Sequence, residues 1–298
     1  TPANFTRAAP VTAVLDFQRQ RGDGQAWFSA DPAELGAWSS LLKFAGVQLR
    51  QGKGELQSWV RLQDKRVVAV TAAGELDDVQ LAGAPLPGAG AAPTVAFSKL
   101  RLRARWKLIE GGWRLDAPTL RIAADGNTQA LDGLLLAGGR HFAVQGKQLD
   151  AGPLLQVLAL SDRLEPSLRR WLHRSKPSLR FADINLLGTA DGPLRASGEL
   201  LDASFAAVGG SPGLSGLRGH FEGDAQAFSL ALKPDHVVRF DWPTGFGVLH
   251  ELQLSGDLVG WREGAGWQIG TPALRVQGQN YAADVRGGLW FEGDGTRP

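Results

Sequence analysis

Cysteine and methionine are both absent from the 298-residue chain, and tyrosine occurs only once. Without cysteine the chain has no disulfides and no thiolate metal ligands. Methionine is missing even at position 1, so we expect a processed product or an internal piece of a longer protein. No apolar run approaches the roughly 18 residues that cross a bilayer, and no signal peptide is recognisable, so any membrane anchor would lie outside this sequence.

The chain also lacks an excess of charge of one sign. Lysine and arginine number 32, and aspartate and glutamate number 30, which gives a formal net charge of +2. A nucleic-acid-binding protein is expected to carry a clustered basic excess, so nucleic acid is not an expected partner. Glycine is abundant instead, with 39 residues, about twice its usual share of roughly 7%.

The most regular pattern lies in the stretch 97–120. Apolar residues occupy the even positions from Leu100 to Leu108, and basic residues occupy the odd positions, namely Lys99, Arg101, Arg103, Arg105 and Lys107. A period of two predicts a strand with one apolar face and one solvated face. Gly111-Gly112 supplies turn chemistry, so the stretch is predicted to form a long amphipathic hairpin.

Part of this hairpin recurs late in the chain. The segments that begin at Gly112-Trp113 and Gly266-Trp267 share the pattern Gly-Trp-x-aliphatic-x-x-Pro-x-Leu-Arg-aliphatic, at an offset of 154 residues. Each copy is preceded by a second tryptophan, Trp106 in the first and Trp261 in the second. The recurrence predicts an internal duplication of a β unit.

Short alternating segments with glycine turns predict a mostly β, antiparallel fold in two helix-plus-strands repeat units with short capping helices. The first predicted unit is 1–148. Its helix, at about 32–45, is predicted from the capping pattern of Asp31, Pro32 and Glu34. The second unit is 149–298, with helices at about 153–174 that Ser161 and Pro166 divide.

The sequence offers no constellation that suggests catalysis. Five histidines occur, but none has metal-ligand spacing. Gly209-Gly210-Ser211-Pro212-Gly213 matches a nucleophile-elbow pattern, yet Pro212 lacks the N–H that an oxyanion hole would need after the nucleophile. We therefore predict no catalytic residues, no metal, no cofactor and no enzymatic activity.

A sheet with one apolar face must cover that face. It can close into a sandwich, in which the alternating side chains form an ordinary core, or curl into a long, curved, open hydrophobic groove. Alternation alone does not separate these two arrangements. A groove would suit acyl chains, because each buried methylene contributes about 0.8 kcal/mol. Its predicted lining is Leu56, Val60, Leu62, Leu100, Leu102, Trp106, Leu108 and Leu115.

Several motifs in the second half, in their order and spacing, together resemble the YhdP family of AsmA-like proteins. They are Ala151-Gly152-Pro153-Leu154-Leu155, Pro166-x-x-Arg169-Arg170-Trp171-Leu172, the stretch from Gly192 to Leu200, the stretch from Pro212 to Gly219, and Phe240-Asp241-Trp242-Pro243. The two Gly-Trp repeats add to this resemblance. Members are long periplasmic proteins of Gram-negative bacteria and are similar to TamB and to bridge-like lipid transfer proteins with repeating β-grooves.

The resemblance implies a segment of a periplasmic lipid transport protein in the cell envelope that contributes to outer membrane homeostasis. Phospholipid acyl chains would be its ligand, and adjacent repeat units of the full-length protein would be its partners. The inner and outer membranes would be reached through segments absent here, including an inner-membrane anchor. Two alternatives remain: a β-scaffold or protein-interaction module without lipid, whose edge strands bind neighbours, and a tryptophan-lined glycan-active protein.

Overall fold

The computed structural model describes residues 11–39, 43–86, 91–124, 127–190, 192–264 and 266–291. The fold is mostly β, with a long antiparallel sheet and two short helices, as the sequence predicts. The chain forms two compact units. Unit 1 comprises 1–141 and 153–173, and unit 2 comprises 142–152 and 174–298.

The strands of unit 1 pair in the order β1-β2-β4-β5-β6-β7-β8, and the short β3 pairs with β4. Their bounds are β1 Val11–Gln18, β2 Asp23–Glu34, β3 Lys43–Phe44, β4 Val47–Gln63, β5 Arg66–Ala82, β6 Thr94–Ile109, β7 Gly112–Ala124 and β8 Asn127–Gly139. The amphipathic hairpin predicted around Gly111-Gly112 is confirmed as β6 and β7. β5 is a single continuous strand of 17 residues.

Unit 2 is also built from antiparallel strands. Its strands are β9 His141–Asp150, β10 Ser178–Thr189, β11 Leu194–Phe205, β12 Gly213–Asp224, β13 Ala227–Leu232, β14 Val237–Asp241, β15 Leu249–Glu263, β16 Gly266–Gln277 and β17 Ala282–Phe291. They pair in chain order, except that β13 and β14 both lie between β12 and β15. β13 and β14 therefore share one position in the sheet.

The predicted helix at 32–45 is wrong. β2 continues to Glu34, which pairs with Lys53 of β4. A single 3₁₀ turn, Leu35–Trp38, follows, and β3 then pairs with β4. Residues 40–42 lie outside the described residues. The described residues of 32–45 therefore form a strand end, a 3₁₀ turn and a short strand instead of the predicted helix.

The pairing of β2 with β4 explains this error. The register shifts between Ala30 and Ala33, so Asp31 and Pro32 fall in a bulge. Proline has no N–H to give to a ladder and is tolerated in bulges, and Asp-Pro is as compatible with such an interruption as with a helix start. The capping pattern is local, whereas the pairing joins residues far apart in sequence, and the pairing prevails.

Two short helices occupy the second predicted helical segment: α1, Gly152–Leu158, and α2, Pro166–Ser175. The linker between them docks onto unit 1 through its backbone. Ala84 N–H donates to Leu160 O at 3.1 Å, and Asp162 N–H donates to Ala45 O at 3.1 Å. Most of this segment thus groups with unit 1, although the sequence prediction placed it at the start of the second unit.

The core of unit 1 lies toward the end of the sheet where this segment docks. The C-terminal half of β5 has the buried side chains Leu76, Val79 and Ala82. In the N-terminal half of the same strand Val67 is exposed and Val70 is half-buried. The buried side chains of β5 therefore lie at one end of the strand, and the apolar side chains at its other end are less covered.

Candidate functional site

One face of unit 1 is a continuous apolar wall. Residues directly opposite each other in neighbouring strands share a face. The longest apolar row that this register produces crosses β1, β2, β4, β5, β6, β7 and β8 and consists of Leu15, Ala26, Val60, Val70, Trp106, Leu115 and Leu136. A parallel row consists of Ala30, Leu56, Gly74, Leu102, Leu120 and Leu131.

The structure places all eight predicted lining residues on this face. Five of them belong to the two rows just described. The remaining three extend the wall beyond them: Leu62 lies opposite Val67, Leu100 opposite Leu76 and Ile122, and Leu108 opposite Trp113. The alternation in the sequence is sufficient to find this face, whereas contact with lipid remains a prediction.

None of the eight side chains is fully buried. Seven are half-buried, and Leu108 is 46% exposed. Leu15 and Phe28 on the same face are 67% and 41% exposed. A second sheet packed on this face would bury these side chains, so their accessibility in the described part of the chain favours an uncovered apolar surface.

The opposite face of unit 1 is polar and bears ion pairs. Glu75 on β5 accepts hydrogen bonds from Lys99 and from Arg101, whose Nε lies 2.7 Å from Oε2. These bonds, first that of Lys99 and then that of Arg101, hold the pKa of Glu75 below its usual value. The charged residues thus lie on the solvated side, as the alternation predicts.

Unit 2 presents an apolar row as well, and none of its residues is among the predicted lining. The row consists of Leu186, Ala196, Gly223, Phe228, Gly260 and Ile269. The Phe228 ring lies over Gly260, where an added Cβ would come within 2.1 Å of it, and lies 6.0 Å from the Trp267 ring. The sequence alone does not reveal which glycine an aromatic ring covers on the next strand, because that depends on the register between the two strands.

The duplicated motif has the same structural role in both copies. Pro118 on β7 and Pro272 on β16 each lie where the register with the preceding strand shifts, as expected for a residue without an N–H. The spacing shared by the two copies then places an arginine against an aspartate of the following strand. Arg121 pairs with Asp132 at 2.5 Å, and Arg275 pairs with Asp284 at 3.1 Å.

The residues considered for catalysis are dispersed. Ser211 lies in a turn after β11, where its backbone pairs with Val208. His220 contacts Glu199 at 2.9 Å on the polar face of unit 2, and Lys233 binds the other oxygen of that carboxylate at 2.6 Å. Among the described residues, no group of three or more His, Asp or Glu side chains could hold a metal ion.

This arrangement defines a class of protein: an antiparallel β-sheet protein with an accessible apolar face and an ion-paired polar face. The model of the YhdP family, described as YhdP protein, matches residues 3–296, and the chain belongs to this family. No curated protein and no solved structure matches the chain. None of the described helices combines the length and apolar character needed to span a bilayer.

Proposed function

We propose that this chain is a segment of a bridge-like lipid transport protein that shields phospholipid acyl chains on its apolar face. The observation that supports this most is the accessible apolar wall of unit 1, which crosses seven paired strands. Acyl tails that lie on this wall are removed from water, and each methylene that is buried in this way contributes about 0.8 kcal/mol to the binding free energy. Membership of the YhdP family agrees with this function.

The dimensions of the wall suit acyl chains. Neighbouring strands lie about 4.8 Å apart, so a row over seven strands spans about 29 Å. The tails of one leaflet occupy about 15 Å, half of a hydrocarbon core that is about 30 Å thick. A tail can therefore remain on apolar surface while it moves from strand to strand, and no covalent step is required.

The same proposal implies a cellular location. The protein would act in the periplasm of a Gram-negative cell envelope, between the inner and outer membranes, as part of a longer chain whose neighbouring repeat units extend the groove. Phospholipid is the proposed ligand, and the head groups would face solvent because the wall offers them no charged partner. Maintenance of the outer membrane would follow from delivery of that lipid.

Lipid co-purification with paired variants tests this function. Leu56→Glu places a charge on the apolar face, whereas Gln57→Glu places the same charge on the polar face of the same strand. We expect mass spectrometry of the extracted protein to detect phospholipid with the parent chain and with Gln57→Glu, and to detect severalfold less with Leu56→Glu. Circular dichroism checks that both variants retain their strands.

A β-scaffold that binds protein partners is the second candidate, and β1 favours it. All eight residues of this strand are exposed, and in the described chain β1 pairs with a neighbour only along β2. Such an edge can add a strand from a partner. Absence of lipid from the parent chain, together with its capture of a protein partner through β1, would favour the scaffold over the lipid segment.

A further inference from the structure

Uncompensated positive charge is concentrated on one half of the polar face of unit 1. Arg103, Arg105 and Lys107 follow one another at alternate positions of β6, and Arg61 of β4 lies in the same row as Lys107. None of these four makes an ion pair within the described residues. Glu75 neutralises cations only at the other end of β6.

The carboxylate opposite Arg105 does not change this balance. Asp116 lies opposite Arg105 in the register, but both of its oxygens accept hydrogen bonds from Arg114 at 2.6–2.9 Å. Asp116 and Arg114 therefore neutralise each other. The four cations retain a net positive field that an anionic partner could use.

These cations border a shallow furrow that runs along β5. The outward side chains of β5 at this level are small: Ala69, Thr71 and Ala73, all half-buried. In the register, Thr71 lies between Trp59 on β4 and Arg105 on β6. The side chains of β4 and β6 form the two sides of the furrow, and these strands are two strand spacings, about 10 Å, apart. The cations at alternate positions of β6 are about 7 Å apart along the strand. Trp59 is 45% exposed, and the register places it on the same face as Thr71.

A concavity of about 380 Å³ adjoins the furrow. Its lining includes Gln57, Ala73 and Arg103, together with the carboxylates Glu55 and Glu75. The concavity thus meets the furrow at Arg103 and continues toward the end of the face where Glu75 pairs with Lys99 and Arg101. The furrow lies on the face opposite the apolar wall, because its residues alternate with those of the wall along the same strands.

We propose that this furrow, formed by Trp59, Arg61, Arg103, Arg105 and Lys107, binds an anionic glycan, that is, sugar residues bearing carboxylate or phosphate groups. Guanidinium groups form bidentate, charge-assisted hydrogen bonds with both kinds of group. The exposed Trp59 ring offers an apolar surface to the C–H face of a sugar ring. Acidic groups spaced along a chain match cations spaced along a strand.

Other extended or flat anionic partners fit less well. The backbone of β5 is paired with β4 on one side and β6 on the other, so an extended peptide would find no main-chain partner in the furrow. A flat bilayer surface would contact the outer ends of the long side chains of β4 and β6, but it could not reach Thr71 on the floor of the furrow. A single glycan chain, whose acidic groups project from its sugar rings, can contact the floor of the furrow on β5 and the side chains of both β4 and β6.

Calorimetric titration of the 298-residue chain with tetragalacturonic acid tests the proposal. We expect saturable binding that weakens as salt rises, because the attraction is screened. Neutral maltotetraose should not bind. The double variant Arg103→Gln/Arg105→Gln should bind tetragalacturonic acid about tenfold more weakly, since two charge-assisted contacts are lost.

A matched control removes the same charge elsewhere. Arg180 on β10 and Arg262 on β15 are exposed strand residues of unit 2, and Arg180→Gln/Arg262→Gln should leave the affinity within about twofold of the parent. Equal weakening in both double variants would overturn the proposal, as would absence of binding. Tighter binding of a polyglutamate peptide or of phosphatidylglycerol vesicles at the same cations would also overturn it, in favour of those partners. None of these results depends on lipid binding by the apolar face.

Discussion

At the scale of single residues, the two faces of the sheet are kept distinct by local pairing. On the polar face of unit 1, several carboxylates pair with a nearby cation, as Asp116 does with Arg114 and Asp132 with Arg121. On the apolar face, the residues that lie opposite one another across the strands are mostly apolar or glycine. Exposed ion pairs contribute little stability individually, so their main effect is to keep one face solvated.

The pair of Asp116 with Arg114 has a measurable pH signature. Hydrogen bonds from Arg114 hold the pKa of Asp116 below its ordinary value of 3.8. A carboxyl whose pKa is lowered by folding stabilises the fold above its unfolded pKa and loses that contribution as pH falls through its folded pKa. Because the pair is partly exposed, we expect Asp116→Asn to lower the free energy of unfolding at pH 7 by about 0.5 kcal/mol.

Urea denaturation at pH 7 and at pH values below 3.8 measures this difference. The parent and Asp116→Asn should converge at the acidic end. Asp257→Asn is the control, since Asp257 is an exposed strand carboxylate without an ion pair among the described residues. A constant difference between parent and Asp116→Asn at all pH values would contradict the assignment.

At the scale of elements, the helical segment is anchored to the sheet by one buried arginine. Arg169 of α2 is 3% exposed. Its guanidinium donates to Ala159 O at 3.1 Å, to Ala84 O at 2.5 Å and to Leu160 O at 3.3 Å. It therefore satisfies carbonyls that follow α1 and links both helices to the segment after β5, where the buried core of unit 1 lies.

Replacing this arginine should destabilise unit 1. Arg169→Met keeps an elongated apolar side chain but leaves buried carbonyls without donors, so we expect a loss of about 2–4 kcal/mol. Arg170→Met is the matched control, because Arg170 is the next residue of α2 and is exposed; it should change stability by less than about 0.5 kcal/mol. Chemical denaturation compares the two, and an equal loss would refute the anchoring role of Arg169.

Elements with strong local patterns are the ones that the sequence predicts well. The period of two from Leu100 to Leu108 predicts β6 and its apolar face, and Ser161 and Pro166 mark the break between α1 and α2. The failure at 32–45 arises because Glu34 pairs with Lys53, a long-range contact that a local capping pattern does not reveal. The aromatic row of unit 2 is missed for the same reason, since Phe228 and Gly260 are neighbours only through the register.

At the scale of the whole molecule, each unit contains antiparallel strands with an apolar row on one face. In unit 1 the buried side chains of β5 lie toward the docked helical segment, while Val60 and Trp106 remain partly accessible. A protein that must hold lipid tails temporarily requires such a surface, because a closed core would leave no room for a ligand. The duplicated motif has the same local arrangement in both units: a proline at a register shift, followed by an arginine that pairs with an aspartate of the next strand.

The most direct test of this account is photo-crosslinking from consecutive residues of β6. A benzoylphenylalanine at Leu102 or Leu108 faces the apolar wall, whereas one at Arg101 or Arg103 faces the ion-paired side. After irradiation with phospholipid vesicles or in envelope extracts, mass spectrometry of the protein should show phospholipid adducts from Leu102 and Leu108 and none from Arg101 and Arg103. Equal capture from both faces, or no capture from either, would contradict the proposal that the apolar wall carries lipid.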